Sequence, residues 1–125
     1  MSVGHNKILT IDDDEDIRTT LCDLLKLEGY ETVWAKNGLV ALDYLRSVSE
    51  SELPDLVLLD HEMPVMNGES FLQEKKKDPK LAKIPVVMMT AGRNLMNALE
   101  RVQPGAFMTK PMDFDTVVQM VKNYI

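Results

Sequence analysis

Short apolar runs alternate along this chain with stretches of helical spacing, and this alternation constrains the fold more than any other feature. Runs such as LVLL and PVVMM are almost purely apolar, which is typical of strands buried on both faces of a parallel sheet. The predicted strands are 7–11, 31–35, 56–59, 85–89 and 106–108, and the predicted helices begin near residues 15, 38, 69, 95 and 114.

The order of these elements predicts the α/β class, as a doubly wound (βα)5 unit with a five-stranded parallel sheet and helices on both faces. Right-handed crossovers then place the carboxyl end of every strand on one edge of the sheet. Ligands of open α/β sheets bind at that edge. We expect one domain over residues 7–125, preceded by a short tail at residues 1–6, because this length buries a core without disulfides.

The charge balance excludes some classes of partner. The formal net charge is −6 and the isoelectric point is about 4.8, which argues against binding to nucleic acid or to anionic lipid. The first residues form no signal peptide, and no apolar run is long enough to cross a bilayer. The single cysteine, Cys22, suits a reducing compartment. We therefore expect a cytoplasmic protein with no membrane or nucleic-acid partner.

Chemically reactive residues fall at the ends of four predicted strands, and they are Asp12, Asp13, Asp60, Thr90 and Lys110. Because parallel strands end at one edge, these residues are expected to converge there. Neighbouring carboxylates repel one another and raise their own pKa values unless a cation is present. Oxygen ligands of this kind favour Mg²⁺ over zinc, so the sequence predicts a magnesium site.

A second interpretation of the acidic run is helix capping. Acidic side chains in the first turn of a helix are stabilised by its dipole and need no other role. We accept this interpretation for Asp14, Glu15 and Asp16. For Asp12 and Asp13, the coincidence with the other strand-end residues favours a functional site.

Four segments, in order and at matching spacing, resemble the receiver domains of two-component response regulators, and they are ILTIDDDEDIR, PDLVLLDHEMPVMNG, IPVVMMTA and MTKP. The resemblance extends from Lys7 to Ile125 and implies a flavodoxin-like fold with strand order 2-1-3-4-5. The segment between Thr90 and Lys110 is shorter than the family pattern. A departure is therefore expected in the fourth helix and in the path into the fifth strand.

The resemblance implies that Asp60 is the phosphoacceptor, since an aspartate carboxylate can attack phosphorus and form an acyl phosphate. It also implies a Mg²⁺ site, whose ligands are Asp12, Asp13, Asp60 and the backbone carbonyl of Glu62. Asp13 is expected to be the main ligand. Asp12 is expected to act more through water or by support from behind.

Further roles follow from the same resemblance. Thr90 is expected to be the switch hydroxyl, and Lys110 to place positive charge on the phosphoryl oxygens. The small side chain of Ala91 leaves room for the phosphoryl donor and a hydrolytic water. Phe107 stands where the family keeps an aromatic switch residue, and Pro111 is expected to follow a cis peptide bond.

The resemblance implies a single-domain response regulator, a signalling switch that catalyses only its own phosphorylation and dephosphorylation. The phosphoryl donor is a histidine kinase, a phosphotransfer protein or a small phosphodonor. The phosphorylated protein is expected to signal through the face formed by the fourth helix, fifth strand and fifth helix, by protein contact or by phosphorelay. We expect a monomer or a weak dimer.

Three alternatives remain open at this point. The spacing of Asp12 and Asp14 also occurs in haloacid-dehalogenase-type phosphatases, although such enzymes usually need a larger core and a cap. A flavodoxin-like FMN carrier shares the fold, but three aspartates occupy the place of its phosphate-binding loop. The third alternative is a receiver-like adaptor that works by binding and is not phosphorylated.

Overall fold

The structure is a computed structural model that describes residues 6–60, 66, 68–91, 106–110 and 114–124. The strands of this part of the chain are β1 (Lys7–Ile11), β2 (Glu31–Ala35), β3 (Leu56–Asp60), β4 (Val86–Ala91) and β5 (Ala106–Lys110). They pair in parallel within one sheet, in the order β2-β1-β3-β4-β5. The predicted parallel sheet and its strand order are confirmed.

The helices of the described ranges are α1 (Glu15–Leu27), α2 (Gly38–Ser47), α3 (Gly68–Lys77) and α4 (Phe114–Tyr124), with a 3-10 turn at Glu50–Glu52. None of these helices is long and apolar enough to span a bilayer. The helix predicted near 95–102 lies outside the described residues.

Side-chain caps explain where two of the helices begin. The Asp14 carboxylate accepts hydrogen bonds from the backbone N–H groups of Asp16 and Ile17, at 3.0 and 3.1 Å. These bonds satisfy donors that have no partner within the helix. Asn37 caps α2 in the same way, because its side chain accepts from the N–H of Val40 at 2.9 Å. The capping interpretation of Asp14 is therefore confirmed.

Both faces of the sheet are covered, because successive residues of a strand point to opposite sides. On one side, Leu9 and Val57 pack with apolar side chains of α2 and α3. On the other side, Ile8 and Leu58 pack with apolar side chains of α1 and α4. The apolar residues of β3, from Leu56 to Leu59, are completely buried, as expected of a central strand.

The register of the sheet brings the ends of β1 and β3 together. Ile11 on β1 pairs with Leu59 on β3. The residues that follow this pair are Asp12 and Asp60. Parallel pairing therefore places two carboxylates side by side at the carboxyl edge of the sheet.

Candidate functional site

Three carboxylates meet at the edge where β1 and β3 end. Oxygen atoms of Asp12, Asp13 and Asp60 all lie within 4.8 Å of one another. Asp12 is completely buried and Asp60 is 2% exposed, whereas Asp13 is exposed to solvent. The structure therefore brings together the three acidic side chains that the sequence placed at this edge, with two of them in the protein interior.

The buried Asp12 is held by contacts of its backbone and of its carboxylate. Its backbone N–H donates to the carbonyl of Ala35 on β2 at 3.2 Å. Its own carbonyl accepts from Nη1 of Arg18 at 3.1 Å. Its carboxylate oxygen Oδ1 accepts from the N–H of Asp14 at 2.9 Å. Contacts of β1 with β2 and α1 therefore set the position of this carboxylate.

The donor set fits a hard divalent cation. The three carboxylates offer only oxygen ligands, which Mg²⁺ prefers, and their oxygens are close enough to share one ion. Two of them are buried, and burial strengthens the repulsion between like charges because the local dielectric constant is low. A cation bound here would offset that repulsion, and Asp13 is exposed to solvent.

The fourth and fifth strands bring further predicted residues to the same edge. Asp60 pairs with the residue that precedes Thr90, and the register sets Ala91 opposite Lys110 at the ends of β4 and β5. Phe107 lies three residues before Lys110 on β5. The backbones of these residues are described, but the side chains of Thr90, Ala91, Phe107 and Lys110 lie outside the described part of the chain.

Two other predicted positions come within two residues of a strand end in the sequence. Glu62 and Pro111 lie outside the described residues. The carbonyl ligand assigned to Glu62 and the cis bond assigned to Pro111 stay predictions.

Sequence reasoning missed Arg18. This arginine is only 8% exposed and lies on the buried face of α1 together with Leu21, Cys22 and Leu25. The spacing of these four residues was the available signal, because positions i, i+3, i+4 and i+7 share one helix face. A charged side chain on an apolar face requires a buried polar partner, which here is the Asp12 carbonyl.

The order of strands and the acidic edge define a CheY-like receiver fold, and the comparisons with known proteins agree. Residues 8–122 match the family described as the response regulator receiver domain. The chain belongs to this family. The family match sets aside the phosphatase and flavin-carrier alternatives.

Individual relatives are similar over nearly the whole chain. Sporulation initiation phosphotransferase F of Bacillus subtilis is 39% identical over 123 residues, which cover 97% of this chain and 94% of that protein. Regulatory protein AtoC of Escherichia coli is 35% identical over 119 residues, which cover 94% of this chain but only 24% of that protein. The signal receiver domain of a Syntrophus aciditrophicus signal transduction histidine kinase superposes with a TM-score of 0.84 at 30% identity, covering 95% of this chain and 89% of that one.

Membership in the receiver-domain family indicates the general role of this site. Receiver domains are signalling switches whose general role is to accept a phosphoryl group, and they interact with histidine kinases or phosphotransfer proteins. They typically use Mg²⁺ at an acidic pocket, and an acidic cluster of this kind is present here.

Proposed function

We propose that this chain acts as a response regulator receiver domain in which Asp60 accepts a phosphoryl group in a Mg²⁺-dependent reaction. The observation that carries the proposal is the convergence of Asp12, Asp13 and Asp60 within 4.8 Å at the carboxyl edge of the sheet. The donor is a histidine kinase, a phosphotransfer protein or a small phosphodonor.

The reacting group is the ionised carboxylate of Asp60. One of its oxygens attacks phosphorus, a new oxygen–phosphorus bond forms, and the bond between phosphorus and the donor breaks. Asp12, Asp13, Asp60 and the Glu62 carbonyl would hold Mg²⁺, whose positive charge would keep Asp60 ionised and stabilise the phosphoryl oxygens. The burial of Asp60 supports this role, because fixed charges act more strongly where water is excluded.

The neighbouring strand ends complete the proposed reaction and couple it to output. Lys110 supplies a full positive charge to the phosphoryl oxygens, and Ala91 leaves space for the donor. The Thr90 hydroxyl donates a hydrogen bond to a phosphoryl oxygen, and Phe107 turns into the space that Thr90 leaves. This hydrogen-bond change biases the face formed by the helix predicted at 95–102, β5 and α4 between two states.

Incubation with acetyl phosphate and Mg²⁺, followed by intact-mass measurement, tests the proposal directly. We expect the mass of one phosphoryl group to be added, and the addition to fail when EDTA removes divalent cations. A protein that gains no mass under saturating donor and Mg²⁺ is instead the receiver-like adaptor, which works by binding alone.

Replacing Asp13 with alanine is expected to weaken Mg²⁺ binding by about tenfold or more, because a charged ligand is lost from the site. Asp13 is exposed, so the fold should be retained. Isothermal titration calorimetry measures the affinity. The matched control is Asp43→Ala, which removes an exposed carboxylate from the middle of α2. Equal Mg²⁺ affinity in Asp13→Ala and in the unmodified protein refutes the ligand role.

Thr90→Ala and Lys110→Ala are expected to separate signalling from phosphoryl transfer. Loss of the Thr90 hydroxyl removes a hydrogen bond to a charged group, worth about 1.5–3 kcal/mol, and should weaken the switch while Asp60 still accepts phosphate. Loss of Lys110 should harm both steps because a full charge is removed. NMR of each variant with and without beryllofluoride measures the switch, and Lys83→Ala, an exposed lysine before β4, is the control. If Thr90→Ala shows the same chemical-shift changes with beryllofluoride as the unmodified protein, the proposed coupling of Thr90 to the switch is contradicted.

A further inference from the structure

One side chain connects the carboxylate site with the surface of the edge strand β2. Nη1 of Arg18 donates to the carbonyl of Asp12 at 3.1 Å. The guanidinium carbon of the same residue lies 4.0 Å from the centroid of the Trp34 ring. Arg18 is buried, while Trp34 is 58% exposed. A continuous path of contacts therefore leads from the buried end of β1 to an aromatic ring in solvent.

This path ends at Asp12, the completely buried carboxylate of the site. The backbone of Asp12 is held by the Ala35 carbonyl on one side and by the Arg18 guanidinium on the other. Of these two backbone contacts, the one from Arg18 is made by a side chain and can be removed by substitution. Planar guanidinium groups suit this double contact, because they donate in the plane and stack on aromatic rings with their faces.

We propose that Arg18 is a positioning residue that orients Asp12 for the cation and couples occupancy of the carboxylate site to Trp34. The inference rests on the proposed function in its use of Mg²⁺. Asp12, Asp13 and Asp60 would hold the cation, and the bond from Arg18 to the Asp12 carbonyl would keep the Asp12 carboxylate in place for it. Because the same guanidinium lies over the Trp34 ring, a change at Asp12 would reach the indole through it.

Electrostatic repulsion by Arg18 and a positioning role for Arg18 predict opposite changes in Mg²⁺ affinity. Arg18 is a cation near a cation site, so its removal would tighten Mg²⁺ binding if simple repulsion were the main influence. A positioning role predicts weaker binding, because partners that orient metal ligands typically contribute about 10–100-fold to metal affinity. The sign of the change in Mg²⁺ affinity therefore separates the two effects.

The experiment compares Mg²⁺ titrations of the full chain and of Arg18→Met, Arg18→Lys and Arg46→Met. Calorimetry gives the dissociation constant, and tryptophan emission reports Trp34 alone, because the chain has one tryptophan. Arg46 is the matched control, since it is 46% exposed and pairs with Glu74 on α3. Circular dichroism verifies that each variant is folded.

We expect Mg²⁺ to change the Trp34 emission of the unmodified protein and of Arg46→Met, with the same midpoint as the calorimetric titration. Arg18→Met should bind Mg²⁺ about tenfold more weakly and lose the emission change. Arg18→Lys keeps a donor for the Asp12 carbonyl but not the planar group, so its affinity should be intermediate and its emission change smaller.

Unchanged or tighter Mg²⁺ binding by Arg18→Met overturns the positioning role, and a retained emission change overturns the coupling to Trp34. If Arg18→Met does not fold, Arg18→Lys decides, and behaviour equal to that of the unmodified protein overturns the inference. Absence of Mg²⁺ binding by the unmodified protein is a different result. It overturns the proposed metal dependence, and the inference with it.

Discussion

Asp60→Asn is expected to abolish phosphorylation completely and to make the metal-free protein more stable. The amide has the shape of the carboxylate but does not attack phosphorus, so no acyl phosphate forms. Asp60 is 2% exposed and lies within 4.8 Å of two other carboxylates. Repulsion between charges at this spacing is on the order of 3 kcal/mol per pair at an effective dielectric constant of 20.

We expect only part of that gain to appear as stability, because Asp60 has other interactions in the folded protein that the substitution also changes. We therefore expect a net rise of about 1–2 kcal/mol in the free energy of unfolding, measured by urea denaturation in EDTA. Adding Mg²⁺ should stabilise the unmodified protein more than the variant and narrow the difference. Asp43→Asn, on the exposed face of α2, is the control for a change of charge alone.

Two results would contradict this account. Phosphoryl mass gain by Asp60→Asn equal to that of the unmodified protein would show that another residue is the acceptor. A metal-free Asp60→Asn protein less stable than the unmodified protein would show that repulsion among the three carboxylates does not outweigh the other interactions of Asp60 in the folded state.

Lys75→Met is expected to stabilise the protein at pH 7 by about 1–2 kcal/mol. Lys75 lies on α3, is 5% exposed, and donates from Nζ to the carbonyl of Ala82 at 3.1 Å. Burial, with a smaller contribution from neighbouring Lys76, lowers the pKa of Lys75 to about 8. Keeping the ammonium charged in the folded protein at neutral pH therefore costs about 3 kcal/mol relative to water. Methionine removes this cost and forfeits one hydrogen bond.

The pH dependence has a definite sign. Between pH 8 and 10.5 the unfolded chain holds a proton on Lys75 that the folded protein has released. The stability of the unmodified protein should therefore rise with pH across this window. Lys75→Met should lack this rise, so the advantage of the variant at pH 7 should disappear near pH 10.

Urea denaturation at pH 7 and at pH 9.5 measures both effects. The control is Lys77→Met, on the same helix, because the Lys77 side chain is 72% exposed. A variant that is less stable than the unmodified protein at pH 7 would mean that the hydrogen bond to the Ala82 carbonyl outweighs the cost of burying the charge.

The fold was predictable from the sequence because a local pattern of apolar residues indicates each strand and helix, and these patterns alternate along the chain. Nearly continuous apolar runs such as Leu56–Leu59 predicted central strands, and those residues are completely buried. Parallel topology then placed Asp12, Asp13 and Asp60 at one edge, since every parallel strand ends on the same side. The location of the acidic site could be predicted from the ends of the strands alone, without knowledge of side-chain packing.

The roles of two buried cations depended on tertiary contacts. Three consecutive lysines stand at the end of α3 in the sequence, and packing of that helix against the sheet buries the first of them, Lys75, with Phe71 and Leu72. Arg18 likewise stands beside polar residues in the sequence of α1, but it lies on the buried face of the helix. Helical spacing shows which residues share a face, but the partner that accepts a buried charge comes from elsewhere in the chain.

The sequence by itself determined the strands, their common edge and the three carboxylates that meet there. Only the tertiary structure decided that Trp34 stands on an edge strand, 58% exposed, with its ring against Arg18. The physical reason is that strand propensity depends on neighbouring residues in the chain, whereas exposure depends on which strands pair. In the sheet order, β2 has one neighbour, β1, which leaves the Trp34 ring at the surface. Arg18 contacts this ring and also donates to the Asp12 carbonyl, so it connects the surface with the site.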